Sequence, residues 1–126
     1  MDSTQANVLV VDDEPSVRES LSGFLEDRDF EVLSAESGEE ALRLLVEDGA
    51  DAAIIDIRLP GMDGDVLILE VHKVHPRIKF LIYTGSTEYV PSENLKSLGI
   101  RAEDVFHKPL HDMEVLVDAV RRAMDR

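Results

Sequence analysis

What most constrains this chain is a set of short apolar runs that stop abruptly at polar residues. Val8-Leu9-Val10-Val11 ends at Asp12-Asp13, Ala52-Ala53-Ile54-Ile55 ends at Asp56, and the run that begins at Lys79 ends at Thr84. Such runs are too short for helices, and they carry apolar side chains on both faces, as strands covered from both sides do. Helical periodicities lie between them. Pro15 suits a first helical turn, with Val17, Leu21, Phe24 and Leu25 forming one apolar face. A strand over Glu31 to Ala35 leads into a capping box of Ser37 and Glu40, an apolar side of Ala41, Leu42, Leu45 and Val46, and a stop at Gly49. Turn residues from Leu59 to Gly64 precede a third helix marked by Leu67, Val71 and Val74. A polar loop through Pro91 precedes a short helix near Ser92 to Leu98, and a fifth strand over Asp104 to Lys108 is cut off by Pro109. Met113, Leu116, Val117, Val120 and Met124 mark the last helix.

Strands alternating with helices predict an α/β fold, a doubly wound five-stranded parallel sheet with helices on both faces and right-handed crossovers. The expected strand order is 2-1-3-4-5. At 126 residues without a linker or a change of composition, the chain reads as one domain over 1–126 with no second domain.

Charge narrows the functions available. Residues 1–65 carry 18 acids and four bases, whereas residues 66–126 carry nine of each, so the whole net charge of −14 lies in the first half. This charge disfavours direct nucleic-acid binding and contact with anionic membranes, and favours cations or basic partners. There is no cysteine, hence no disulfide, thiolate metal site or thiol nucleophile. No signal-like N-terminus and no apolar run near the ~20 residues of a membrane span is present, so a soluble cytoplasmic location is expected.

In an open parallel sheet, ligands bind beyond the carboxyl ends of the strands. Asp12 and Asp13 end strand 1, Asp56 ends strand 3, Thr84 ends strand 4 and Lys108 ends strand 5, so all five side chains should meet at one edge. Carboxylates brought together there repel by about 4 kcal/mol per pair at ~4 Å and an effective dielectric near 20. A hard divalent cation resolves the conflict, and carboxylate and carbonyl oxygens suit Mg²⁺, with Mn²⁺ as an alternative. Asp56 then has the makings of an oxygen nucleophile forming an acyl phosphate. Lys108 and the Thr84 hydroxyl would face phosphoryl oxygens. Taken singly, each residue has a plainer explanation: a helix cap, a turn start, a strand end, a rim charge. Their convergence favours the chemical one. His72, His75, His107 and His111 show no metal-ligand spacing and read as surface or structural residues.

Together, Val-Val-Asp12-Asp13-Glu14-Pro15, Asp56-Ile-Arg-Leu-Pro60-Gly61-Met62-Asp63-Gly64, Thr84-Gly85 and Lys108-Pro109 resemble the receiver domain of bacterial two-component response regulators. The resemblance covers nearly the whole chain and implies a CheY-like, flavodoxin-like fold. It implies a phosphorylation-dependent signalling switch in a phosphorelay, with Asp56 accepting a phosphoryl group from a phosphohistidine on a histidine kinase or phosphotransfer protein. Carried onto matching positions, it makes Asp13, Asp56 and the Arg58 carbonyl Mg²⁺ contacts, with Asp12 acting largely through water. Thr84 and Lys108 would sense the phosphoryl group. The surface near helix 4 and strand 5 would then change for a downstream protein or a covalently linked output domain, with the chain a monomer or a dimer formed on phosphorylation. It would assist its own phosphorylation and dephosphorylation without being a turnover enzyme.

Two departures stand out. Members of the family usually carry Tyr or Phe three residues before the strand-5 Lys, whereas this chain has Val105, with Phe106 on the opposite strand face. From Thr84 to Lys108 the chain also runs about two residues longer than the family pattern, around Gly99 to Asp104, and Pro91 shortens the fourth helix. The output face is therefore expected to be remodelled. Arg58 and Ser86, two residues beyond Asp56 and Thr84, match positions where the family tunes access of hydrolytic water, so the long Arg58 side chain is expected to cover part of the phosphoryl group. Three other readings compare less well. A small-molecule aspartate phosphatase would need an acid two residues past the nucleophile, where Arg58 stands. A flavin or nucleotide module would need Gly, Ser or Thr amides in the first loop, where Asp12-Asp13-Glu14 stand. A phosphorylation-independent adaptor fits Val105 but not the complete set of site residues.

Overall fold

The computed structural model describes residues 6–125. Strands β1 (Asn7–Val11), β2 (Glu31–Ala35), β3 (Ala52–Ile55), β4 (Lys79–Thr84) and β5 (Val105–His107) form one parallel sheet in the order 2-1-3-4-5. Helices α1 (Pro15–Glu26), α2 (Gly38–Glu47), α3 (Gly64–Val74), α4 (Glu93–Ser97) and α5 (Glu114–Met124) connect the strands and flank them. The expected fold class and strand order are both present.

Alternation along the strands feeds two cores. Leu9, Val11, Ala53, Ile55 and Ile82 face α2, α3 and α4, where they meet Leu45, Leu67, Ile68 and Leu95. Val8, Val10, Ile54, Leu81 and Tyr83 face α1 and α5 and pack on Leu21, Leu25, Leu116, Val117 and Val120. Because β1 and β3 are buried along their apolar lengths on both sides, their ends are fixed in space and the residues that follow inherit that rigidity. Local signals set the helix starts: Pro15 opens α1, Ser37 accepts the Glu40 N–H at 3.1 Å to cap α2, and Asp63 accepts the Val66 N–H at 3.1 Å to cap α3.

Three local expectations need correction. Val46 is 79% exposed, because one residue beyond Leu45 the helix has turned about 100° away from the sheet. Val74 is 62% exposed, since α3 ends there, past the strands that cover Val71. The fifth strand starts at Val105. Asp104 instead closes a 3₁₀ turn over Ala102–Asp104, where its carboxylate accepts the Arg101 N–H at 3.0 Å, and Lys108 stands one residue past the strand end.

The α1–α5 face is also held by charge. Arg28 lies over the Phe24 ring, 3.5 Å from its centroid, and its Nε donates to Glu114 Oε2 at 2.7 Å. This hydrogen bond outweighs the opposing effect of burial and, with the charges of Arg28 and Arg121, holds the Glu114 carboxyl below its ordinary 4.5. A carboxyl depressed on folding contributes stability above its ordinary pKa, and that contribution disappears as pH falls through the folded value. Glu114→Gln should therefore lower the urea midpoint at neutral pH, with the deficit shrinking at an acidic pH below 4.5. An equal loss at both pH values would assign the effect to packing instead.

Candidate functional site

The parallel ladder carries the acids to one place. Beyond the paired residues Val11 and Ile55, the Asp56 N–H donates to the Val11 carbonyl at 3.0 Å and the Asp12 N–H to the Ala35 carbonyl at 3.1 Å. Asp12 and Asp56 thus leave neighbouring strands side by side, 2% and 6% exposed. On the other side of the sheet centre, the Lys108 N–H donates to the Thr84 carbonyl at 2.8 Å, fixing where the lysine side chain departs.

That side chain reaches back across the strand ends. Lys108 Nζ lies 2.6 Å from Asp12 Oδ2, 3.1 Å from Asp56 Oδ2 and 3.3 Å from Glu14 Oε1, with the Tyr83 ring centroid 5.7 Å away. Burial works against the ammonium charge, but the hydrogen bonds and charges of Asp12 and Asp56 outweigh it and hold the Lys108 pKa above its ordinary value. Burial also dominates at Asp12 and raises its carboxyl, with the Lys108 contact and the Glu14 N–H, which donates to Asp12 Oδ1 at 3.0 Å, offsetting part of the effect. One carboxylate oxygen from each of Asp12, Asp13 and Asp56 lies within 4.8 Å of the others, with Asp13 on the solvent side. An all-oxygen set of this size and charge fits a hard divalent cation such as Mg²⁺ with room for water.

Asp12, Asp13, Asp56 and Lys108 therefore meet as expected. Thr84 ends β4 but is fully buried, and its hydroxyl accepts the Ser86 N–H at 3.1 Å. Arg58 contributes its backbone: its N–H donates to Asp56 Oδ1 at 3.3 Å, while the side chain is exposed. Val105 packs against the α2–α4 core and Phe106 against the α1–α5 core, on opposite strand faces.

Two supporting residues escaped the sequence reading. Arg18, one turn into α1, donates from Nη1 to the Asp12 carbonyl at 2.7 Å and bends the acidic loop over the helix start. Its only sequence trace is a lone base in an acidic stretch. Gly64 is the other. A Cβ there would stand 2.5 Å from the Asp56 carbonyl oxygen and 2.8 Å from Ile57 Cα, so only glycine lets α3 begin against the end of β3, with its N–H on the Ile57 carbonyl at 2.8 Å. A turn reading explains Gly61, whose φ is +75°, but gives no hint of this close approach.

These features define a doubly wound α/β domain with an acidic, lysine-bridged site at the carboxyl edge of its sheet. A sequence model of the response regulator receiver domain matches residues 8–121, and the chain belongs to that family. It is 32% identical over 109 residues to the response regulator GtcR of Aneurinibacillus migulanus, a match covering 86% of this chain and 44% of that one. It is 40% identical over 95 residues to the sensor kinase CckA of Brucella abortus, covering 74% of this chain and 10% of the kinase. Among solved structures, the response regulator TrrA of Thermotoga maritima in complex with Mg²⁺–BeF superimposes with a TM-score of 0.79 at 30% identity, covering 94% of this chain and 99% of that one. The chain thus spans less than half the length of these two curated relatives. Among the described residues, no helix is long and apolar enough to cross a membrane.

Gly64→Ala should cost about 1 to 3 kcal/mol, since the methyl group meets backbone that cannot yield without moving β3. The amide resonances of Asp12, Asp56 and Lys108 should shift with it. Unchanged stability in urea would show that α3 is free to slide away from Asp56.

Proposed function

We propose that this domain is a phosphorylation-dependent switch that accepts a phosphoryl group on Asp56 from a phosphohistidine of a histidine kinase or phosphotransfer protein. The observation that carries this reading is the shared Lys108 ammonium, which holds two nearly buried carboxylates from separate strands beside an exposed third. A purely structural ion pair needs one carboxylate, and three at one point are costly without a ligand to use them.

In the transfer, an Asp56 carboxylate oxygen forms the new P–O bond as the P–N bond to the donor imidazole breaks, and the imidazole keeps the electron pair and takes up a proton. Asp56 is oriented for this from both sides, Oδ1 by the Arg58 N–H and Oδ2 by Lys108. Lys108 then exchanges a carboxylate partner for a phosphoryl oxygen while staying near Asp12. Thr84 would turn its hydroxyl from Ser86 toward the phosphoryl group. Asp12, Asp13, Asp56 and the Arg58 carbonyl would hold Mg²⁺ or Mn²⁺, which supplies charge neutralisation for the transferring group. TrrA, whose solved complex contains Mg²⁺–BeF, supports this assignment by likeness. Movement after Thr84 would pass to the short α4 and the edge strand β5, reshaping the surface offered to a downstream protein or linked output domain.

Incubation with acetyl phosphate and Mg²⁺ should add the mass of one phosphoryl group, and Asp56→Asn should abolish the adduct. An adduct surviving in that variant would move the acceptor elsewhere, and no adduct in the wild type would favour a phosphorylation-independent adaptor. Mg²⁺ at about 100 times its Kd should stabilise the wild type by about 2.7 kcal/mol. Asp13→Asn should lose most of that gain in a thermal melt, and an undiminished response would remove Asp13 from the metal site. Arg58→Ala should shorten the adduct's half-life, and an unaltered half-life would end the idea that this side chain covers the phosphoryl group.

A further inference from the structure

The loop from residue 85 to residue 92 joins β4 to an α4 of only five residues, and its main anchor is a ring. Tyr89 is half-buried and packs against the same core as Val105 and Leu98, and its hydroxyl donates to Asp65 Oδ1 at 2.7 Å. Asp65 belongs to the first turn of α3, beside the Gly64 that rests on the Asp56 carbonyl. The hydrogen bond therefore ties the loop that follows Thr84 to the helix that follows Asp56. From Tyr89 the connection continues inward: its N–H donates to the Ser86 carbonyl at 3.4 Å, and the Ser86 N–H donates to the Thr84 hydroxyl at 3.1 Å.

We propose that Tyr89 is a positioning residue, latched to Asp65, that holds the Thr84 loop in the unphosphorylated arrangement and must let go when Thr84 turns toward Asp56. The inference rests on the reading of Asp56 as acceptor and adds the regulation of that site. Turning the Thr84 hydroxyl toward a phosphoryl oxygen gives up the Ser86 amide, and Ser86 is bonded to the Tyr89 backbone, so the displacement reaches the ring within five residues. Burial first, then the Asp65 hydrogen bond and the charges of Asp65 and Asp63, hold the phenol above its ordinary pKa. Tyr89 comes from the loop and not from β5, so this linkage does not depend on an aromatic at position 105.

The test uses Tyr89→Phe, which keeps the ring, Asp65→Ala, and the double variant. In the unliganded protein, each single change should speed amide exchange over residues 86 to 92 by about tenfold, equivalent to about 1.4 kcal/mol, while α1 and α5 stay unchanged. The double variant should be no faster than the faster single one, because both remove the same bond. Each variant should also bind beryllofluoride with Mg²⁺ several-fold more tightly, since the competing closed loop has been weakened. Unchanged exchange in Tyr89→Phe, additive effects in the double variant, or unchanged or weaker beryllofluoride binding would overturn the latch. A wild type that fails to bind beryllofluoride would instead count against Asp56 as acceptor, and the exchange data would still judge the latch alone.

Discussion

The Lys108 ammonium is the contact on which the rest of the site depends. Asp12 and Asp56 emerge from adjacent parallel strands whose register leaves them nowhere else to go, and both are almost closed to solvent. Two ionised carboxylates in that position would push the strand ends apart. A cation 2.6 Å from one and 3.1 Å from the other turns repulsion into a bridge. The bridge also joins distant parts of the chain, since Lys108 follows the last strand while Asp12 follows the first. A lysine suits this role because its ammonium is a point charge on a flexible stem and is able to change oxygen partners without fixed fork geometry.

The bridge works only on a rigid platform. β1 and β3 are buried along their apolar lengths, and their alternate residues lock into separate cores on the two faces, so a shift of either strand would disturb both cores. Freedom to move is left to the loops at the carboxyl edge and to α4, which has a single buried residue, Leu95. On the proposed reading, rigid acceptor and movable reader are thereby separated by one strand, β4, with Thr84 at the junction.

Much of this arrangement was legible in the sequence, for definite reasons. Strands buried on both faces show as continuous apolar runs, and the polar residue that ends each run must stand at the sheet edge, which placed Asp12, Asp56 and Thr84. The single-residue errors at Val46 and Val74 arose because an apolar residue beside a stripe reads like a member of it. Asp104 was misplaced because a carboxylate closing a turn on the Arg101 N–H looks the same in sequence as a strand start. Contacts between segments were not legible. Nothing local marks Arg18 as the brace of Asp12, Gly64 as the point where a helix touches the end of β3, or Tyr89 as a partner of Asp65 24 residues away.

The charge asymmetry of the chain has a sharper meaning at the site than over the whole surface. Asp12, Asp13, Glu14 and Asp56 bring four carboxylates to one ammonium, leaving the cluster three charges below neutral when all are ionised. On the proposed reading, converting Asp56 to its acyl phosphate removes one carboxylate charge and adds a phosphoryl group of roughly two, so the cluster becomes more negative still. Lys108 alone cannot balance that change. A divalent cation and the phosphoryl group therefore each improve the site for the other, and by linkage the two affinities must rise together. On that reading, the same excess that makes four adjacent acids a liability would make the phosphorylated state dependent on the metal. On the same reading, the switch is set by charge balance at the strand ends, with the loops reporting which balance has been reached.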